Sequence, residues 1–387
     1  MRYASYQLDG TTWCGVVGPE GLHPLPAGLT GLDLVRSGLP AALDAGAAAL
    51  RGPVVPLAAV RLLPPLRPPT VRDFVAFEEH VEGVVRSVSG GGAVVPEWYE
   101  APAFYFTNPH ALVGAHDDVP VPPGCEAFDF ELEVAAVIGA DGASLTPEAA
   151  REHIFGYTVL NDWSARDLQR REMRVGLGPA KGKDTATTLG PWLVTADELE
   201  PYRDAEGFLA LEARVSVNGT EVGQDLLSNM GWPFEELVAY ASRGTWVRAG
   251  DVIGSGTCGN GGCLAELWGR RGEQVPPPLR PGDVVEMTVE GIGTIRNRVV
   301  PGLDLPPVRP ARPRSRARQR ARPLVASILT GRGGLPSSPA GPARALSDLG
   351  GPASPVGRAE LALEELARSG ARQLVGELHR SRDLVTG

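Results

Sequence analysis

Cysteine is scarce: Cys14, Cys125, Cys258 and Cys263 are the four in 387 residues, with no CxxC pair and no zinc-finger spacing. A disulfide framework and a structural zinc module are thereby excluded, and reduced thiols in a cytosolic protein are expected. No apolar run reaches about 18 residues, the length that crosses a bilayer as a helix. The opening MRYASYQLDGTTWCGVV has no charged segment followed by an apolar one. Neither export nor membrane insertion is expected, and a cytoplasmic location is. Also missing are a GxGxxG opening a βαβ unit and a GxSxG elbow, so nicotinamide-binding and serine-hydrolase readings lack their structural parts. LGPAKGKDT at 177–185 comes nearest to a phosphate-cradling loop. Its GxxxGK spacing is one residue short, and Asp184 replaces the hydroxyl that such a loop offers to magnesium.

What is abundant is glycine (49) and proline (36), which favours turn-rich β structure or disordered segments over a helical bundle. Hydrophobic residues at 43% and charged residues at 21% are ordinary for a globular protein, so a sizeable core can be buried. The length predicts two or three modules. A formal net charge of -9 argues against a nucleic-acid surface over the main body, the basic excess sitting in the tail.

Residues 1–62 read as a small N-terminal domain, with strand-like runs at 3–8 and 13–17 followed by an Ala/Leu-rich helical stretch. The Pro-rich VRLLPPLRPPTVRDF at 60–74 reads as a linker or an extended lead-in strand. Residues 63–304 read as a mixed, β-rich α+β core domain. Its strands are LEVAAVIG, GYTVLND, ARVSVNG, DVIGSG and DVVEMTVEGIGTIRNRVV, with helices near 147–154 and 233–243. From 305 to 387 the chain turns to PPVRPARPRSRARQRARP and then Gly/Ser/Pro/Ala, a composition that cannot offset chain entropy by burial. A disordered tail is expected there, with an amphipathic helix over 358–380 carrying Leu361, Leu366, Leu374 and Leu378. Its arginines offer a surface for RNA, anionic lipid or an acidic partner, although a solvated tail is the preferred reading.

The chemistry-bearing residues lie between 73 and 268. In FDFELEVAAVIG at 128–139, Glu131 and Glu133 are two apart and project to one face of a strand. Two adjacent carboxylates repel unless one takes a proton or a cation sits between them, which suits a hard metal. By itself ExE is commonplace on solvated strands. GYTVLNDWSARDLQ at 156–169 ends a strand in Asp162, a candidate third ligand, with Arg166 and Gln169 on the following turns available to an anionic substrate. The same stretch also reads as helix capping by Asp162 or Ser164, with Arg166 paired to Asp167 or Glu172. In VRDFVAFEEHVEGVVR, Asp73 and His80 are seven apart and share one face if the segment is helical throughout. A lone histidine near carboxylates is more often a surface residue than a base. GSGTCGNGGCLAELWG at 254–269 reads as a glycine-rich loop followed by a strand carrying Glu266.

RDFxxFEEH, FELEVAAVIG, NDWSARDLQ, GPAKGKDxATTLGPW, GSGTCG and AELWG stand in the order seen in enzymes of the fumarylacetoacetate hydrolase family, which this chain resembles over about residues 70–300. The resemblance implies a mixed β-roll fold, a homodimer and a Mg²⁺, Ca²⁺ or Mn²⁺ ion. It implies Asp73, Glu131, Glu133 and Asp162 as metal ligands, His80 as general base oriented by Glu266, and Lys183 as a catalytic cation. Arg166, Gln169, Thr187 and Thr257 fall on positions that resemble substrate-binding residues. The implied reaction is hydrolysis of a carbon–carbon bond in a β-diketo acid, a fumarylacetoacetate- or acylpyruvate-like small molecule, by a water that the His80–Glu266 pair activates. Decarboxylation, hydration or isomerisation of a 2-oxo acid is the alternative. A non-catalytic protein acting through the basic tail is a second. Met173 stands where the fumarylacetoacetases have a substrate-contacting tyrosine, and Asn108 where acylpyruvase relatives carry lysine. These departures imply a different distal pocket and favour other acylpyruvates or oxo-diacids over fumarylacetoacetate itself.

Overall fold

LEVAAVI is β-branched or small and apolar at almost every position, which suits a strand covered on both faces. In the computed structural model, which describes residues 1–89 and 93–312, Leu132–Ile138 is buried along its whole length. It lies inside an 11-stranded sheet among the described residues. Along the sheet the order is Gly21–Pro24, Thr11–Gly18, Arg2–Leu8, Thr187–Thr195, Ile154–Asp162, Leu132–Ile138, Val252–Gly254, Val71–Phe74 and Phe104–Thr107. Arg61–Leu63 and Leu112–Val113 pair off this path. The stretch expected to form a small N-terminal domain thus supplies strands to this sheet, with Tyr3 opposite Leu193. A 5-stranded sheet holds Thr220–Leu226, Glu212–Val217, Val284–Val289, Gly293–Val300 and Val119–Pro120.

The period of two decides which way Leu132–Ile138 faces. Leu132, Val134, Ala136 and Ile138 join the core cluster that contains Val215, Met287 and Ile295 of the second sheet. Ala135 and Val137 join the other cluster, with Tyr3, Val16 and Leu34. Glu131 and Glu133 therefore share the odd-numbered side.

Two local expectations are corrected. Asp73 and His80 do not share a helix: Asp73 is on the strand Val71–Phe74, and His80 is on the helix Glu78–Ser89 that follows. Glu266 is not on a strand but on the helix Leu264–Arg271, whose N-cap is Cys263. The two helices cross tightly where Gly83 meets Gly269, and a side chain at either glycine would collide with the other helix. No helix among the described residues is long and apolar enough to cross a membrane. From residue 313 on, the expected disordered tail and its helix at 358–380 lie outside the described residues.

Candidate metal and active site

Strand register, not sequence proximity, assembles the site. Gly254 pairs with Ala135 on one side and Asp73 on the other, and Asp73 pairs with Tyr105. Asp162 pairs with Thr187, and Leu132 with Asn161. The carboxylates of Glu133 and Asp162 thus come from adjacent strands and that of Asp73 from the strand on the far side of Val252–Gly254, and Glu131 directly precedes the strand of Glu133. Gly254 allows this convergence: a Cβ there would collide with Asp73 Oδ1 and lie 3.1 Å from Glu133 Oε2.

All four carboxylates are buried, with Glu133 fully so. One oxygen each of Asp73, Glu131 and Glu133 lie within 4.8 Å of one another, a separation that a single cation can span. Lys183 Nζ donates to Glu131 Oε2 and, at 2.7 Å, to Asp162 Oδ2. Arg166 reaches Glu131 Oε1 at 2.8 Å and Asp129 Oδ2 at 2.8 Å. Burial opposes the Glu131 anion, but Lys183 and Arg166 outweigh it and hold that carboxyl well below the usual range. The others are less compensated. Burial pushes Asp162 up to about 7 against the pull of Lys183. It also raises Asp73, and it raises Glu133 well above the ordinary value with Asp73 adding repulsion. Asp73 Oδ1, Glu133 Oε2 and Asp162 Oδ1 are buried without any protein donor. Oxygens so placed need protons or a cation.

The substrate-binding candidates fall around this cluster. Thr257 Oγ1 donates to Glu133 Oε1 at 3.4 Å, while buried Thr187 Oγ1 has no partner. Arg166 Nη1 donates to Gln169 Oε1 at 3.1 Å. Both residues line a cleft with Arg170 and Met173 from the helix Arg166–Val175 and with Trp268. Pairing of Arg166 to Asp129 and Glu131 replaces the alternative pairing to Asp167 or Glu172. His80 is buried, and burial pushes its imidazole down to about 4, leaving it neutral at neutral pH. Its ring partner is Cys263, with Sγ 3.6 Å from Nδ1. Glu266, expected to orient His80, instead accepts from Gly261 N at 3.2 Å and pairs with Arg270 at 2.8 Å.

Four neighbours of this cluster were not singled out by the sequence. Tyr105 donates its hydroxyl to Asp162 and, at 3.1 Å, to Asp73. Asp129 is fully buried, holds Arg166, and accepts from the backbone N–H groups of Leu264 (2.8 Å) and Ala265 (3.0 Å), anchoring the start of that helix. Asn161 Oδ1 accepts from Glu131 N at 3.0 Å. Cys263 is the fourth. Asp129 ends the short strand Phe128–Asp129, where it pairs with Ser164, and like the others it is placed by contacts distant in sequence.

The class these features define is a mixed α+β protein built around a buried carboxylate cluster. Residues 70–300 match the family described as Fumarylacetoacetate (FAA) hydrolase C-terminal, and the chain belongs to the fumarylacetoacetate hydrolase family. It is 34% identical over 189 residues to the oxaloacetate tautomerase YisK of Bacillus subtilis, covering 49% of this chain and 56% of that protein. It is 30% identical over 244 residues to the fumarylacetoacetase of Dictyostelium discoideum, covering 52% and 57%. The chain thus spans a little over half the length of these curated relatives. Among solved structures, a fumarylacetoacetate hydrolase from Exiguobacterium antarcticum superposes with a TM-score of 0.62 at 27% identity, covering 78% of this chain and 99% of that one.

Proposed function

We propose that the chain is a divalent-metal-dependent enzyme that hydrolyses a carbon–carbon bond in a β-diketo acid of the acylpyruvate type. The observation that carries this reading is the trio of buried, donorless carboxylate oxygens on Asp73, Glu133 and Asp162. All-oxygen donors of that charge density fit Mg²⁺, Mn²⁺ or Ca²⁺, with Glu131 completing the ligand set. When bound, such an ion supplies Lewis-acid charge and a template for two substrate oxygens.

The chain's own residues supply the rest. Arg166 and Gln169 offer donors to a substrate carboxylate, while Thr187 stands opposite Asp162 and Thr257 bonds to Glu133. Neutral His80 takes a proton from the water that attacks the carbonyl carbon. When the adduct collapses, the leaving carbon keeps the bonding electron pair as an enolate, and the Lys183 ammonium stands where that negative charge develops. The homodimer implied by the family resemblance belongs to the same proposal.

A second reading, tautomerisation of a 2-oxo acid, is favoured by the similarity to an oxaloacetate tautomerase. It is also favoured by the bonding of Glu266 to Gly261 and Arg270 rather than to His80. In that case His80 moves a proton between carbon and oxygen, and no water is consumed.

The test is a panel of acylpyruvates, fumarylpyruvate and oxaloacetate with Mg²⁺ or Mn²⁺, following enol absorbance and identifying products by mass spectrometry. Hydrolysis yields two acids and takes oxygen from isotopically labelled water. Loss of enol absorbance with unchanged mass establishes tautomerisation in its place.

A further inference from the structure

Beside the oxygen-rich cluster lies a second group of side chains with a different donor character. One ligand atom each of His80, Cys263 and Glu131 lie within 4.8 Å of one another, and all three residues are buried. Cys263 Sγ stands 3.6 Å from His80 Nδ1. With Zn–S near 2.3 Å, Zn–N near 2.05 Å and a tetrahedral angle, the sulfur–nitrogen edge of a zinc site is about 3.6 Å. The observed separation already matches that edge.

We propose that His80, Cys263 and Glu131 form a softer cation site that takes Zn²⁺ and thereby withdraws His80 from the reaction. Thiolate and imidazole are the donors that distinguish Zn²⁺ from Mg²⁺, whereas Asp73, Glu133 and Asp162 offer oxygen alone. On binding, the Cys263 thiol proton leaves to solvent. Lone pairs of Sγ, Nδ1 and one Glu131 oxygen then fill three positions, and water fills the fourth. One Zn²⁺ is balanced by the thiolate and the Glu131 carboxylate. Of the two cations now on Glu131, Arg166 keeps Asp129 and Lys183 keeps Asp162. Glu131 is common to both groups, so the sites compete.

The inhibitory consequence rests on the proposed role of His80, but the site itself does not. Co²⁺ titration of the metal-free full chain reads the site directly through thiolate-to-cobalt charge-transfer absorbance. Wild type and Glu133→Gln develop the band at one equivalent per chain, and Zn²⁺ abolishes it. Cys263→Ser and His80→Gln, each checked for folding by circular dichroism, do not develop it. A band that persists in either variant, or none in the folded wild type, overturns the site. In Mg²⁺ assays, equimolar Zn²⁺ lowers the wild-type rate about tenfold or more, and lowers Cys263→Ser less than about twofold relative to its own zinc-free rate. A cobalt band without any Mg²⁺-supported turnover would instead remove the functional reading and leave the site standing.

Discussion

Raising the pH of the metal-free protein from about 5 to about 8 destabilises the fold, and a divalent cation removes that dependence. Asp162 is pushed from its ordinary 3.8 up to about 7, and Asp73 and Glu133 are raised as well. A carboxyl that holds its proton more tightly folded than unfolded gives the folded state more bound protons between the two pKa values. Stability therefore falls as pH rises through that window. For Asp162 alone, the roughly two pKa units of that gap lying above pH 5 correspond to about 3 kcal/mol. His80, held down at about 4, offsets part of that below pH 6.5, while Asp73 and Glu133 add to the loss. Coulomb's law gives the same order: two carboxylates no more than 4.8 Å apart repel by about 3.5 kcal/mol or more at an effective dielectric near 20. The assay is thermal unfolding by circular dichroism across that pH range, in chelator and in Mg²⁺ or Mn²⁺. The expected result is a Tm that falls with pH in chelator and is raised and flattened by metal. Glu133→Gln shows a shallower metal-free slope and loses the metal-induced rise. A metal-free Tm that stays level or climbs over the same range refutes the reasoning, as does a full metal shift in Glu133→Gln.

Gly254→Ala places a methyl against Asp73 Oδ1 and near Glu133 Oε2, so metal affinity measured by calorimetry falls by at least about tenfold while far-UV circular dichroism is kept. Lys183→Met leaves Glu131 and Asp162 without their shared cation. Denaturant unfolding of the metal-free variant shows a loss of about 3–5 kcal/mol, and turnover is abolished. Asp129→Asn uncouples Arg166 from its buried partner and weakens the anchor of the helix Leu264–Arg271. It costs about 2–4 kcal/mol by the same measurement and raises KM for an acidic substrate more than it lowers kcat.

The strands were legible where their pattern is local. LEVAAVI and GYTVLND announce strands through their β-branched and apolar residues between turn signals, and both are found, as Leu132–Ile138 and Ile154–Asp162. The helices near 147–154 and 233–243 appear as Pro147–Glu152 and Phe234–Ser242. RDFVAFEEH misled because a seven-residue spacing fits a helix. What turns Val71–Phe74 into a strand is its parallel pairing with Val252–Gly254, distant in sequence. AELWG misled in the opposite sense. Its helix begins where Cys263 caps it and where Asp129, again distant in sequence, receives its first N–H groups.

Periodicity and motif order are properties of neighbours along the chain, and these alone determined the β-rich class, the Glu131–Glu133 pair and the family resemblance. Which carboxylates lack a donor, which cation each one meets, and that His80 faces Cys263 rather than Glu266 were decided only by tertiary structure. Such contacts join segments from residues 73 to 266 through strand register and helix crossing. Burial then sets the charge each group can carry, and no local pattern encodes burial of that kind.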